Sequence, residues 1–354
     1  MNTLDFAELN RRIAPPDASA LHASQTHWDS VAKPLGSLGE FEKLITKIAA
    51  LTGSARVELD RRAVLVLCAD NGVIVQGVSQ SDCSVTSLVA VNLTKRCSAV
   101  CQMARRAGAE IIPVDMGMKN AVDAPGLILR RVAAGTEDFT QGRAMTREQA
   151  RAAVMTGIEL VRECRERGFQ ILATGEMGIG NTTTSSAMAS VFLNCDPQKL
   201  TGRGAGLSDE GLRRKIDAIR RGIRVNAPNP NDALDVLSCV GGFDIAGMAG
   251  IFIGGALYRV PVVIDGLISA VAALTASLLC PACVCCMIPS HSSSEPAELK
   301  IFEKMCLKPL IFADMHLGEG TGAVCMFPLL DMALAVYNGL AFDDIGLAPY
   351  QRLS

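Results

Sequence analysis

The chain has 354 residues, 34 Lys plus Arg against 36 Asp plus Glu, and 49% apolar side chains. That length supports a large core in two unequal domains, and a charge near zero argues against a nucleic-acid partner, which needs a positive surplus. One Trp and three Tyr give no aromatic platform on which bases stack.

Met1 to Glu8 lack the basic start and unbroken apolar stretch of a signal peptide. The apolar run from Val260 to Val263 meets Asp265, and Pro281 and Pro289 interrupt the segment beyond it, so no membrane span of about 20 residues is expected. Thirteen Cys without an export signal read as thiols in a reducing cytoplasm. In chain order, Leu4 to Ile13, Ala18 to Trp28 and Phe41 to Leu51 carry helical spacing, separated by Pro15-Pro16 and the turn Lys33-Pro34-Leu35-Gly36. Short apolar runs come next at Ala63 to Ala69, Ile111 to Val114, Phe169 to Thr174, Val260 to Ile264 and Val284 to Ile288, each predicting a fully buried strand. Helical spacing fills Val85 to Ala107, Arg147 to Arg167 and Leu212 to Val225 between them. This alternation predicts an α/β fold with a mostly parallel sheet covered on both faces. A last helix is expected over Thr321 to Leu340, so residues 1–55 with 321–354 should form a small helical domain and residues 56–320 a large α/β domain.

The cluster Cys280-Pro-Ala-Cys283-Val-Cys285-Cys286 lacks the paired spacing of a zinc site. It runs on into Met287-Ile288 like a strand, and its Cys read as small hydrophobes. No His has metal-ligand spacing with another His or Cys, so neither a metal nor a cofactor is expected.

The expected strands end in Asp70-Asn71-Gly72, Asp115-Met116-Gly117, Gly175-Glu176-Met177-Gly178-Ile179-Gly180-Asn181, Asp265-Gly266 and Ser290-His291. Ligands of an open parallel sheet bind at the carboxyl edge of its strands. Five polar endings on that edge predict a wide cleft. The third ending opens a helix, where glycines and free N–H groups favour an anion. It lacks the Gly-Lys-Ser/Thr of a Walker loop, and Thr183 breaks the dinucleotide fingerprint. A plain capped turn is the alternative. In a second glycine-rich loop, Gly202 to Glu210, Ser208 is placed to cap the next helix. Arg203 or, by preference, Lys215 would neutralise a phosphate there. Finally, Met315-His316-Leu317-Gly318-Glu319-Gly320-Thr321-Gly322 sets one carboxylate among glycines ahead of a helix. Glu319 reads either as a proton acceptor or as a charge that favours the helix start.

Together these segments resemble one family, the nicotinate-nucleotide:dimethylbenzimidazole phosphoribosyltransferases of cobamide synthesis. The resemblance runs almost end to end. It is carried by Lys33-Pro-Leu-Gly-Ser-Leu-Gly39, Ala69-Asp-Asn-Gly-Val73, Gly175 to Thr183, Thr201-Gly-Arg-Gly204 with Lys215, Gly241-Gly-Phe-Asp-Ile-Ala-Gly247, Ile264-Asp-Gly266, Ser290-His291 and Leu317-Gly-Glu-Gly-Thr-Gly322. It implies a Rossmann-like large domain, a small helical domain, and a dimer of like subunits or with a paralogous subunit. The implied reaction moves the phosphoribosyl group of nicotinate mononucleotide onto an aromatic base, releasing nicotinate and forming an α-riboside phosphate. The implied catalytic residues are Glu319 and Glu176. Phosphate and ribose fall to Gly178, Gly180, Asn181, Thr182, Arg203, Lys215 and Asp265; the base falls to Ser81, Val89, Asp70, Asn71, Leu317 and His291.

The chain departs from common members at Asn71, where a His is frequent, and at Val89, where a Gln stands in a well-known relative. Val89 makes the base wall more apolar, so phenol or p-cresol joins the benzimidazoles as an expected acceptor. Two other readings compete with this one. A non-catalytic subunit would be free to lose Glu319, and a nicotinamide-dependent dehydrogenase conflicts with the broken glycine fingerprint.

Overall fold

A computed structural model describes residues 5–350; Leu4 of the first expected helix and residues 351–354 of the expected small domain lie outside them. The main sheet contains β1 (Arg62–Ala69), β2 (Ala109–Gly117), β3 (Ile128–Leu129), β4 (Ile171–Met177), β5 (Val262–Ile264) and β6 (Met287–Pro289). Their order is β3-β2-β1-β4-β5-β6, and every neighbouring pair is parallel. The chain therefore starts mid-sheet, winds outward through β2 and β3, and returns to wind the other way from β4. The gap between the carboxyl ends of β1 and β4 is the switch point at which such sheets leave a crevice. A short pair, β7 (His291–Ser292) with β8 (Ile311–Phe312), adjoins that edge.

The helices are α1 (Phe6–Arg12), α2 (Ala18–Ser30), α3 (Glu40–Thr52), α4 (Ser84–Thr94), α5 (Ala99–Arg106), α6 (Arg147–Glu166) and α7 (Asn181–Phe192). They continue as α8 (Asp209–Asn226), α9 (Ala233–Val240), α10 (Phe243–Leu257), α11 (Leu267–Leu279), α12 (Glu298–Lys304) and α13 (Thr321–Tyr337). Every residue of β1 is buried, because successive side chains of a strand face opposite sides and both sides are covered. Ala63, Leu65, Leu67 and Ala69 join the core under α6 and α9 to α11. Val64, Val66 and Cys68 join the opposite core under α3, α4, α5 and α13. Helices from the two chain ends meet on this second face. Ala32 N–H donates to Leu340 O at 2.9 Å and Phe342 N–H to Ser30 O at 3.0 Å. The Tyr337 ring stands edge-on to His27 at 4.3 Å, and its hydroxyl donates to Ala55 O at 2.9 Å.

Two expected elements differ in form. The helical stretch Val85 to Ala107 is two helices, broken where Arg96 takes a left-handed φ of 59°. The turn is closed by Cys97 N–H donating back to Asn92 O at 3.1 Å, a helix-ending pattern. The expected strand from Val284 is a 3₁₀ turn over Pro281–Cys286 that becomes strand only at Met287. Its Cys280, Cys283 and Cys286 are buried thiols, and burial pushes Cys280 up to about 12. Among the described residues no helix is long and apolar enough to cross a membrane.

Candidate active site

A cavity of about 320 Å³ opens at the carboxyl edge of the sheet, beyond the ends of β4 and β5. The loop from β4 into α7 supplies Glu176, Gly178, Asn181 and Thr182; the end of β5 supplies Asp265, and β7 supplies His291. Leu317 and Glu319 close it from the segment before α13, and Val89 enters from α4. Gly180 and Arg203 line a smaller adjoining cavity of about 70 Å³ that shares Gly178, Asn181 and Thr182. The carboxylate at 319 and the glycine loop near 180, far apart in sequence, thus share one wall.

Glu319 stands at a left-handed φ of 60° between Gly318 and Gly320. Its Oε2 accepts the Val100 N–H of α5 at 3.3 Å, where the cap residue Ser98 makes no side-chain bond to the helix backbone. The start of α13 is held instead by Asp265, which accepts the Gly320 and Ala323 N–H groups at 3.2 and 2.9 Å. At the start of α13 the backbone bonds are therefore made by Asp265 and not by Glu319. Both Asp265 oxygens accept backbone N–H groups, and the residue also lines the cavity, where the resemblance sets it against phosphate or ribose.

Glu176 is buried, and its Oε1 lies 2.7 Å from where a Cβ on Gly318 would stand. Asn181 donates to Glu176 Oε2 and, at 3.0 Å, to Asp244 Oδ2. Burial and then the charge of Asp244 push Glu176 up to about 8. Burial also raises Asp244 to about 6 and Glu298 to about 8. A carboxyl whose folded pKa is raised stabilises the fold fully below its unfolded pKa, near 4.5 for Glu, and loses that contribution as pH rises through the folded value. The thermal midpoint should therefore fall between about pH 5 and pH 8. Glu176→Gln should fall less steeply over that window. Parallel melting curves across pH would show instead that Glu176 is already ionised in the fold.

Lys215 is fully buried on α8, its Nζ donating to Thr182 Oγ1 at 2.9 Å and Gly202 O at 3.1 Å. Burial lowers it to about 8, opposed by the charge of Glu295. It stands behind the loop that Thr182 and Gly204 present to the cavity. Arg203 turns away, pairing with Asp209 and donating to Leu207 O at 2.8 Å. Glu295 is a site residue that the sequence does not single out. It reaches the cavity from the segment after β7, and its Oε1 accepts the Gly204 N–H at 3.0 Å. Its Oε2 is buried without a hydrogen-bond partner among the described residues. A carboxylate amid serines gives no sequence signal of this kind, because the contact spans 91 positions.

Asp70, Asn71 and Ser81 lie off the wall of either cavity. Asp70 Oδ2 accepts the Lys119 N–H at 2.7 Å, and Asn71 Oδ1 accepts from Thr184 Oγ1 at 3.2 Å. Both are buried: Asn71 lies against Gly180 and α7, and Asp70 ties to the segment after β2, which sets both off the cavity rather than against the base. Ser81 sits in a turn, its N–H donating to Ser79 Oγ at 3.2 Å. His291 does face the cavity. Ser290 Oγ donates to Ile264 O at 2.6 Å, so its lone pair meets His291 Nδ1 at 3.1 Å. That arrangement puts the ring proton on Nδ1 and leaves Nε2 as an acceptor. Burial holds this ring below the usual imidazole range, with Asp265 opposing. Among the described residues no group of three or more His, Cys, Asp or Glu is arranged to hold a metal.

A phosphoribosyltransferase family profile matches residues 13–346. The chain is 43% identical over 351 residues to the nicotinate-nucleotide–dimethylbenzimidazole phosphoribosyltransferase of Ruminiclostridium cellulolyticum, covering 99% of this chain and 100% of that one. It is 45% identical over 328 residues to the enzyme of that name from Acetivibrio thermocellus, covering 92% and 93%. The crystal structure of the Thermus thermophilus enzyme superposes with a TM-score of 0.88 at 35% identity, over 94% of this chain and 99% of that one. A full-length match in sequence, and in a sheet whose carboxyl edge carries the cavity, leads to one conclusion: this chain belongs to the nicotinate-nucleotide–dimethylbenzimidazole phosphoribosyltransferases, and it is a pentosyltransferase enzyme.

Proposed function

We propose that the enzyme passes the phosphoribosyl group of nicotinate mononucleotide to an aromatic base, with Glu319 removing the acceptor's proton. The observation that supports this best is the shared wall: Glu319 and the Gly178–Thr182 loop line one cavity. The phosphate binds at the start of α7, where N–H groups, Thr182 and the charge of Lys215 converge. The ribose then lies across the cavity toward Glu319. The pyridine ring leaves uncharged, so departure needs no acid, while the ribose carbon gains cationic character. A benzimidazole N–H or phenol O–H attacking that carbon must lose its proton, and a carboxylate at the wall accepts it. Glu176, protonated at neutral pH, serves as a hydrogen-bond donor beside the base.

The acceptor end is walled by Val89, Met177, Ile179 and Leu317. Those side chains impose no hydrogen-bond pattern, so the acceptor range includes phenols as well as benzimidazoles. The purified chain, alone and with a paralogous partner, is incubated with nicotinate mononucleotide and either dimethylbenzimidazole or p-cresol. Mass spectrometry should find a riboside phosphate from each acceptor. Product from the benzimidazole alone restricts the range, and none from either removes the proposal.

A further inference from the structure

One peptide group, that joining Glu319 to Gly320, is held from both ends. Its carbonyl rests on Gly175 in β4, where a Cβ would come within 2.5 Å of the Glu319 oxygen. Its N–H is donated to Asp265 Oδ2 at 3.2 Å. Asp265 is 3% exposed, and its other oxygen takes the Ala323 N–H at 2.9 Å. Turning this peptide changes ψ of Glu319 and so redirects the carboxylate. The left-handed φ of 60° is one that a residue with a side chain keeps only where its surroundings impose it. Asp265 supplies the bond on one side of the peptide and Gly175 the room on the other, from two adjacent strands, 55 and 144 positions away in the chain from the groups they hold.

We propose that Asp265 is the positioning residue for Glu319, setting the Glu319–Gly320 peptide so that the carboxylate stands at the cavity wall beside Glu176. This rests on Glu319 being the general base. Asp265 touches neither substrate; it acts through the backbone of the residue that does. A ribose contact would show in KM, and a plain helix-capping role would show only in thermal stability.

The test is steady-state kinetics and melting of Asp265→Asn, Glu319→Gln and the double variant, with nicotinate mononucleotide and dimethylbenzimidazole. In Asp265→Asn one oxygen becomes an N–H₂ group that faces a backbone donor. Its kcat should fall at least about tenfold, while KM for the nucleotide stays within about twofold. The double variant should be no slower than Glu319→Gln, because a misplaced base and a missing base are the same loss. Full kcat in Asp265→Asn with a slow Glu319→Gln overturns the positioning role alone. A raised KM at unchanged kcat overturns it in favour of a sugar contact. Wild-type turnover in Glu319→Gln removes the base reading and this inference together. Should Asp265→Asn not fold, Gly175→Ala presses the same peptide from its carbonyl side and should give the same kcat-specific loss; unchanged kcat there overturns the proposal.

Discussion

Glu319→Gln should lower turnover by about 10²–10⁴-fold, the usual worth of a general base, while nicotinate mononucleotide binds as before. The two side chains have the same shape, and an amide oxygen still accepts the Val100 N–H that the carboxylate holds at 3.3 Å. The glycine loop, Thr182 and Lys215 are untouched, so binding energy toward the donor is preserved. What is lost is made only as the acceptor surrenders its proton, and such a loss lowers kcat and kcat/KM together. Calorimetry of nucleotide binding and single-turnover kinetics separate the two quantities. Comparable turnover in the variant and the parent from about pH 6 to pH 9 would place the proton elsewhere.

Lys215→Met should show the opposite signature. The buried ammonium ties Thr182 to the Gly202 carbonyl, and on the proposed placement it stands close to the phosphate. Hydrogen bonds to charged groups are worth about 1.5–3 kcal/mol, so KM for the nucleotide should rise by about 10- to 100-fold. The fall in kcat should be much smaller, because the base and its supports are intact. Methionine fills the volume, which guards the fold against a cavity. An unchanged KM would assign the phosphate to backbone N–H groups alone.

Much of the fold is legible because its signals are local. Residues 63–69 of β1 face two cores, so they read as an unbroken apolar run, and the polar endings of successive strands mark the edge that carries the cavity. The start of α13 at Thr321 follows from the glycines before it. Other features are tertiary. The break at Arg96 depends on a turn of four residues inside otherwise helical spacing, and Pro281 to Cys286 are as apolar as the strand they precede. Asp265 reads as a cleft acid from its place after a strand. Its partners, 55 and 58 positions on, make it a clamp on α13. Asn71 comes after β1 as a site residue would, yet the loop after β4 folds over it. Glu295 carries no motif, and only the folded chain brings it against Gly204.

That last contact bears on how the donor arrives. The pocket already holds a carboxylate of its own, since Glu295 accepts the Gly204 N–H of the loop facing the proposed phosphate cradle and its charge supports that of Lys215. On the proposed placement, filling the pocket is then an exchange of one negative group for another, with the displaced side chain ready to return. The α-riboside product keeps the same phosphate as the donor, so a tethered rival that shortens its stay would work in favour of release.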